Sequence, residues 1–63
     1  MPLVTIKIIE GRTPEQKKGM VADVTEAIVK NIGCPADAVE IDVVEMKTTL
    51  FAKGGKMWAE THK

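Results

Sequence analysis

A chain of 63 residues with a single cysteine closes no internal disulfide, and at this size a domain buries only about 60% of the surface that its unfolded form exposes. Nine basic residues balance nine acidic ones, so no net field draws it to nucleic acid or to an anionic membrane surface. Hydrophobic residues make up 44% of the chain, with Phe51 and Trp58 as its aromatics, which excludes a disordered polymer and points to a small aliphatic core.

Pro2 follows Met1 directly. Removing Met1 would expose a prolyl secondary amine, and an α-amino nitrogen titrates at about 7.7–8.0 before its surroundings act on it. Burial, or a cation such as Arg12 nearby, would disfavour the protonated form and leave a base at neutral pH. Leu3 to Ile9 is β-branched at nearly every position and too short for an amphipathic helix, so it reads as a strand with Val4, Ile6 and Ile8 on one face. Leu3, Thr5, Lys7 and Ile9 form a mixed second face, suited to meeting another subunit. Glu10-Gly11-Arg12 turns the chain. Thr13 as N-cap, Pro14 at the first helical position and Gln16 completing a capping box then start a helix expected to reach about Ile32. Met20, Val21, Val24, Ala27, Ile28 and Ile32 are its expected buried stripe, and Lys17, Lys18, Asp23, Glu26 and Lys30 its solvated face. Gly33 suits the C′ position, with Pro35 beyond it.

After a short turn from Pro35 to Ala38, Val39 to Met46 alternates as a second strand, with Val39, Ile41 and Val43 toward the helix. Strand, helix, strand with one crossover implies a parallel pair. Leu50 to Gly55 reads as a tight turn or hairpin at Gly54-Gly55. The fold class is thus α+β: a single domain over 1–63, a β-α-β protomer with a short C-terminal hairpin. Two strands and one helix close no core, so the chain needs a support. Cys34 and His62 are isolated and supply no closed metal-ligand set. Oligomerisation remains. Pairing two protomers gives a four-stranded sheet with two helices on one face. No apolar run approaches the roughly 20 residues of a membrane span, and the start lacks a signal peptide's basic-then-apolar layout, so the cytoplasm is the expected location.

Several features occur together and in order: Pro2 opening a strand, Glu10-Gly11-Arg12 at its end, Glu15-Gln16-Lys17 in the first helical turn, Glu45-Met46 closing the second strand, and Phe51 before Gly54-Gly55. The set resembles the 4-oxalocrotonate tautomerase family over essentially the whole chain. The resemblance implies a ferredoxin-like dimer of β-α-β protomers and a hexamer built as a trimer of dimers. It also implies a cofactor-independent isomerase of aromatic catabolism, converting a 2-hydroxymuconate-like dienol or a smaller 2-hydroxydienoate to its 2-oxo isomer. In that reading Pro2, freed of Met1, is general base and then acid. Arg12 binds the carboxylate of a small unsaturated acid, where its fork of donors suits two oxygens, and Phe51 walls the pocket.

One departure stands out. The family's best-known members carry a second arginine on the second strand, supplied by a neighbouring subunit, and the aligned residue here is Glu40. Either the substrate differs, or another cation such as Lys7, Lys47 or Lys53 fills the role, or Glu40 points away. Two other functions compete: a hydratase or dehalogenase of an unsaturated acid, with protonated Pro2 and a carboxylate activating water, and a non-catalytic oligomeric binding protein. Cys34 reads as a small, partly buried thiol and His62 as a solvated tail residue. Leu50, Met57 and Trp58 are expected interface anchors. Asp42 and Glu45 lie on opposite strand faces and form no acid pair.

Overall fold

The computed structural model describes residues 1–61, and the expected solvated place of His62 lies outside them. Strand β1 (Leu3–Ile9) leads into helix α1 (Pro14–Ile32); a 3-10 turn at Ala36–Ala38 leads into strand β2 (Glu40–Met46). β1 and β2 pair in parallel with Leu3 opposite Glu40, Thr5 opposite Asp42, Ile6 opposite Val43 and Ile9 opposite Met46. The second strand starts one residue later than its pattern suggests, because the Val39 N–H still closes the 3-10 turn on the Ala36 carbonyl at 3.1 Å. The tail folds as a hairpin of β3 (Ala52–Lys53) and β4 (Lys56–Met57), followed by the short helix α2 (Trp58–Thr61). Gly54 and Gly55 both have positive φ, 62° and 80°, the requirement of a two-residue hairpin turn that side chains resist.

The helix ends follow from local chemistry. The Gln16 N–H donates to Thr13 Oγ1 at 3.1 Å and the Thr13 N–H donates to Gln16 Oε1 at 2.9 Å, so the capping box is closed in both directions. Gly33 ends the helix at φ 82°, its N–H on the Val29 carbonyl. The stripe turned toward the sheet differs from the expected one: Met20, Val21, Val24 and Ile28 are half-buried, joined by Thr25 and Val29, while Ala27 and Ile32 are exposed. Lys17 is also off the solvated face, since its Nζ lies 2.7 Å from Glu45 Oε1. The sheet is only two strands wide, so the helix settles over Val4, Ile6, Ile8, Ile41 and Val43, and its far turn overhangs into solvent.

No described residue is fully buried. The accessible surface is 5004 Å², against about 4,000 Å² for a compact chain of this mass. The radius of gyration is 14.8 Å, against about 11 Å for a compact domain of this length. Leu3 is 73% exposed and Leu50 72%. The protomer presents exposed apolar side chains, an unpaired strand edge and an uncovered sheet face.

Candidate active site

The parallel ladder decides where the candidate residues go. Both strands begin at one end of the sheet, so Pro2 and Glu40 lie together: the Glu40 N–H donates to the Pro2 carbonyl at 3.0 Å, the first bond of the ladder. Pro2 is half-buried, whereas Met1 is 83% exposed. The side chains of Leu3, Thr5, Glu40 and Asp42 share the face turned away from α1, and with Val4 and Ile41 they line an open cleft of about 590 Å³ beside Pro2. Among the described residues neither Glu40 nor Asp42 has an ion-pair partner.

Arg12 and Phe51 belong to the opposite end, where both strands finish. Six steps of β1 at about 3.3 Å each put roughly 20 Å between the two ends, far beyond the reach of an arginine. Arg12 follows Gly11, whose φ of 118° swings the chain off β1. It lines a smaller hollow of about 180 Å³ with Ile8, Gln16, Lys17 and Met20. Lys17 is committed to Glu45, and Arg12 has no ion-pair partner among the described residues. Phe51 is half-buried and meets Trp58 edge to face, ring centroids 5.6 Å apart at 61°. The Trp58 N–H donates to the Phe51 carbonyl at 2.7 Å.

Glu10, which the sequence marks only as part of a turn, ties the segments bearing Arg12 and Phe51. Its N–H donates to the Met46 carbonyl at 2.9 Å, and its Oε2 accepts the Thr48 N–H at 2.9 Å. The clue in the sequence is slight: a carboxylate at a strand end, able to accept backbone N–H groups of the neighbouring turn. Of the three lysines weighed as substitutes for the missing arginine, Lys7 lies on the face of Glu40 and Asp42, opposite Val44. Lys47 follows β2 and Lys53 sits in the hairpin, both at the far end from Glu40. Cys34 is half-buried. Among the described residues no group of three or more His, Cys, Asp or Glu could hold a metal ion, and no helix is long and apolar enough to cross a membrane.

Residues 2–60 match the family described as "Tautomerase enzyme". The chain belongs to the tautomerase family. It is 50% identical over 60 residues to a probable tautomerase of Bradyrhizobium diazoefficiens, covering 95% of this chain and 90% of that one. It is 46% identical to a probable tautomerase of Listeria monocytogenes over 87% of this chain and 90% of that one. Among solved structures, a 4-oxalocrotonate tautomerase isozyme from Methylibium petroleiphilum superposes with a TM-score of 0.91 at 35% identity, covering 95% of this chain and 94% of that one. A heterohexameric 4-oxalocrotonate tautomerase from Chloroflexus aurantiacus superposes with a TM-score of 0.89 at 30% identity, covering 95% and 97%. The β-α-β architecture read from strand and helix patterns is thus the architecture of this family, and the tautomerase is an isomerase.

Proposed function

We propose that this tautomerase interconverts 2-hydroxydienoates and 2-oxo-enoates without a cofactor, using the amine of Pro2, exposed by loss of Met1, as general base and then general acid. The amine takes the enol proton, the O–H electrons form the C2 carbonyl, and the shifted π electrons accept the proton back at a chain carbon. Nothing is oxidised or reduced. One nitrogen serves both steps because a group titrating near neutral pH gives and takes a proton with equal ease. The observation that carries this reading is the family match beginning at residue 2, together with the place of Pro2 at the head of the ladder. Exposed Met1 takes no part in the ladder, so its removal leaves the strand pairing intact.

Arg12 and Phe51 complete the site only from a second chain, given the 20 Å that part them from Pro2 on their own. A two-fold axis perpendicular to the sheet makes neighbouring edge strands antiparallel. Pairing β1 with β1 then brings the Pro2 end of one protomer to the Arg12 end of the other. Pairing β2 with β2 leaves them apart. The same pairing yields the four-stranded sheet that the open edge calls for, and three such dimers make the hexamer; that a structural neighbour is a heterohexamer supports six chains. The test is mass measurement of the purified protein followed by an enol-ketone assay on wild type, Pro2→Ala and Arg12→Ala. Loss of Met1, with activity falling about 100-fold or more in Pro2→Ala, is the expected result. Retained Met1 with undiminished activity would sink the proline base.

A further inference from the structure

The chain beyond β2 forms a unit of its own. The Thr48 N–H holds it to the Glu10 carboxylate at 2.9 Å. From there it closes on itself, with the Trp58 N–H on the Phe51 carbonyl at 2.7 Å and the Ala59 N–H on the Thr48 carbonyl at 3.3 Å. The protomer is 43 Å long, well beyond the roughly 28 Å that the 19 residues of α1 span, so the hairpin and α2 make an arm. With two residues to a strand, the hairpin is too small to be stable by itself. Its charge is one-sided: residues 47–61 hold Lys47, Lys53 and Lys56 against Glu60. Lys53 faces Lys56 directly across the hairpin, and like charges in that register, about 5 Å apart, weaken the pairing. Alternation puts Phe51 on the same face as the two lysines.

Glu40 and Asp42 are the converse, two carboxylates about 6.6 Å apart on one face of β2, in the cleft that Leu3 and Thr5 also line. Among the described residues, none of these four charged side chains has an ion-pair partner. Lys7, opposite Val44 on that face, brings one charge to two carboxylates. The arm is out of reach of the carboxylates of its own chain, because it leaves β2 about 20 Å from Glu40 and Thr48 is tethered there. We propose that the hairpin arm docks on the Glu40–Asp42 end of the open sheet face of a second copy of this chain. Lys53 and Lys56 take the two carboxylates, and Phe51 lies over exposed Leu3. Two repelling pairs thereby become two opposite-charge contacts. Docking also carries Phe51 to the Pro2 end of another chain; that consequence rests on the reading of Phe51 as a pocket wall, whereas the docking stands whether or not Pro2 is the base.

Carbodiimide cross-linking, which joins a lysine amine to a carboxylate in contact with it, tests the docking on the full-length protein. Ordinary and nitrogen-15-labelled chains are mixed under conditions that exchange subunits, cross-linked, digested and read by mass spectrometry. Links from Lys53 or Lys56 to Glu40 or Asp42 that join a light chain to a heavy one are the expected result. Links confined to chains of one label would put the arm on its own protomer, and links from these carboxylates only to Lys7 would give the face to a different occupant. Either result, or no link to Glu40 and Asp42 at all, overturns the proposal. Charge reversal supplies the second measurement. Lys53→Glu with Lys56→Glu is expected to make the assembly dissociate about tenfold more readily on dilution, read by sedimentation velocity. Adding Glu40→Lys with Asp42→Lys to the same chain is expected to recover the association. Dissociation that the first pair leaves unmoved, or that the second pair fails to recover, overturns the docking. Neither measurement reads catalysis, so failure here leaves the proline base standing.

Discussion

Thr5→Pro tests the assembly on which the shared site depends. The Glu40 N–H reaches back to Pro2 and the Glu10 N–H reaches across to Met46, so the even-numbered residues of β1 direct their backbone groups at β2. Leu3, Thr5, Lys7 and Ile9 direct theirs at the open edge, as alternation along a strand requires. Proline at position 5 therefore removes a donor from the open edge and none from the β1–β2 ladder, and an edge facing solvent is a place where a sheet tolerates proline. Two-fold symmetry doubles the effect. Two lost hydrogen bonds are worth about 2 kcal/mol together, and the two carbonyls left facing them, buried without donors, raise the total toward about 6 kcal/mol. Dissociation is then about 30-fold to 10⁴-fold easier. Sedimentation velocity over a dilution series reads it directly, with Thr5→Ala, which keeps the N–H, as the control. Should Thr5→Pro and Thr5→Ala sediment alike at every concentration, the protomers do not meet along β1.

Three further outcomes are expected. Mixing inactive Pro2→Ala and Arg12→Ala chains under conditions that exchange subunits restores activity, because a mixed dimer holds one site with both native residues; an inert mixture would show that Pro2 and Arg12 act from the same chain or not at all. Glu10→Ala frees the Thr48 N–H and loosens the turn before Phe51 by about 1 kcal/mol, seen as a shift in Trp58 emission and a raised KM, with Glu10→Gln recovering part of both. Thr13→Ala opens the capping box and destabilises the fold by about 1 kcal/mol, measured by urea unfolding at fixed protomer concentration; an unchanged midpoint would mean that the first helical turn is held by a partner chain.

What the sequence makes legible is what neighbours in the chain decide among themselves. Thr13, Pro14 and Gln16 specify a helix start within four residues, Gly33 its end, and Gly54-Gly55 a hairpin turn, and the structure has each of them. The parallel pair follows from the length of the crossover. Contacts across the fold are less legible. Lys17 meets Glu45 from 28 positions away, a pairing fixed by how the helix lies on the sheet and not by helical spacing alone. The same placement draws Thr25 and Val29 inward and leaves Ala27 and Ile32 outside. Helix α2 escapes a pattern reading because its first N–H is anchored on the Phe51 carbonyl, beyond the hairpin. For the candidate site, the strand order shows that Pro2 keeps company with Glu40 and that Arg12 and Phe51 lie elsewhere, a division that a one-dimensional motif conceals.

That division along β1 carries a genetic consequence. In the shared site proposed for this family member, the base and the anion receptor are inherited on one chain but used on two, so each protomer lends its halves to different pockets. Duplicate genes whose products co-assemble would generate hybrid pockets, the proline of one copy facing the arginine of the other and the reverse. Substitutions at either strand end would then diversify specificity combinatorially, without any new fold.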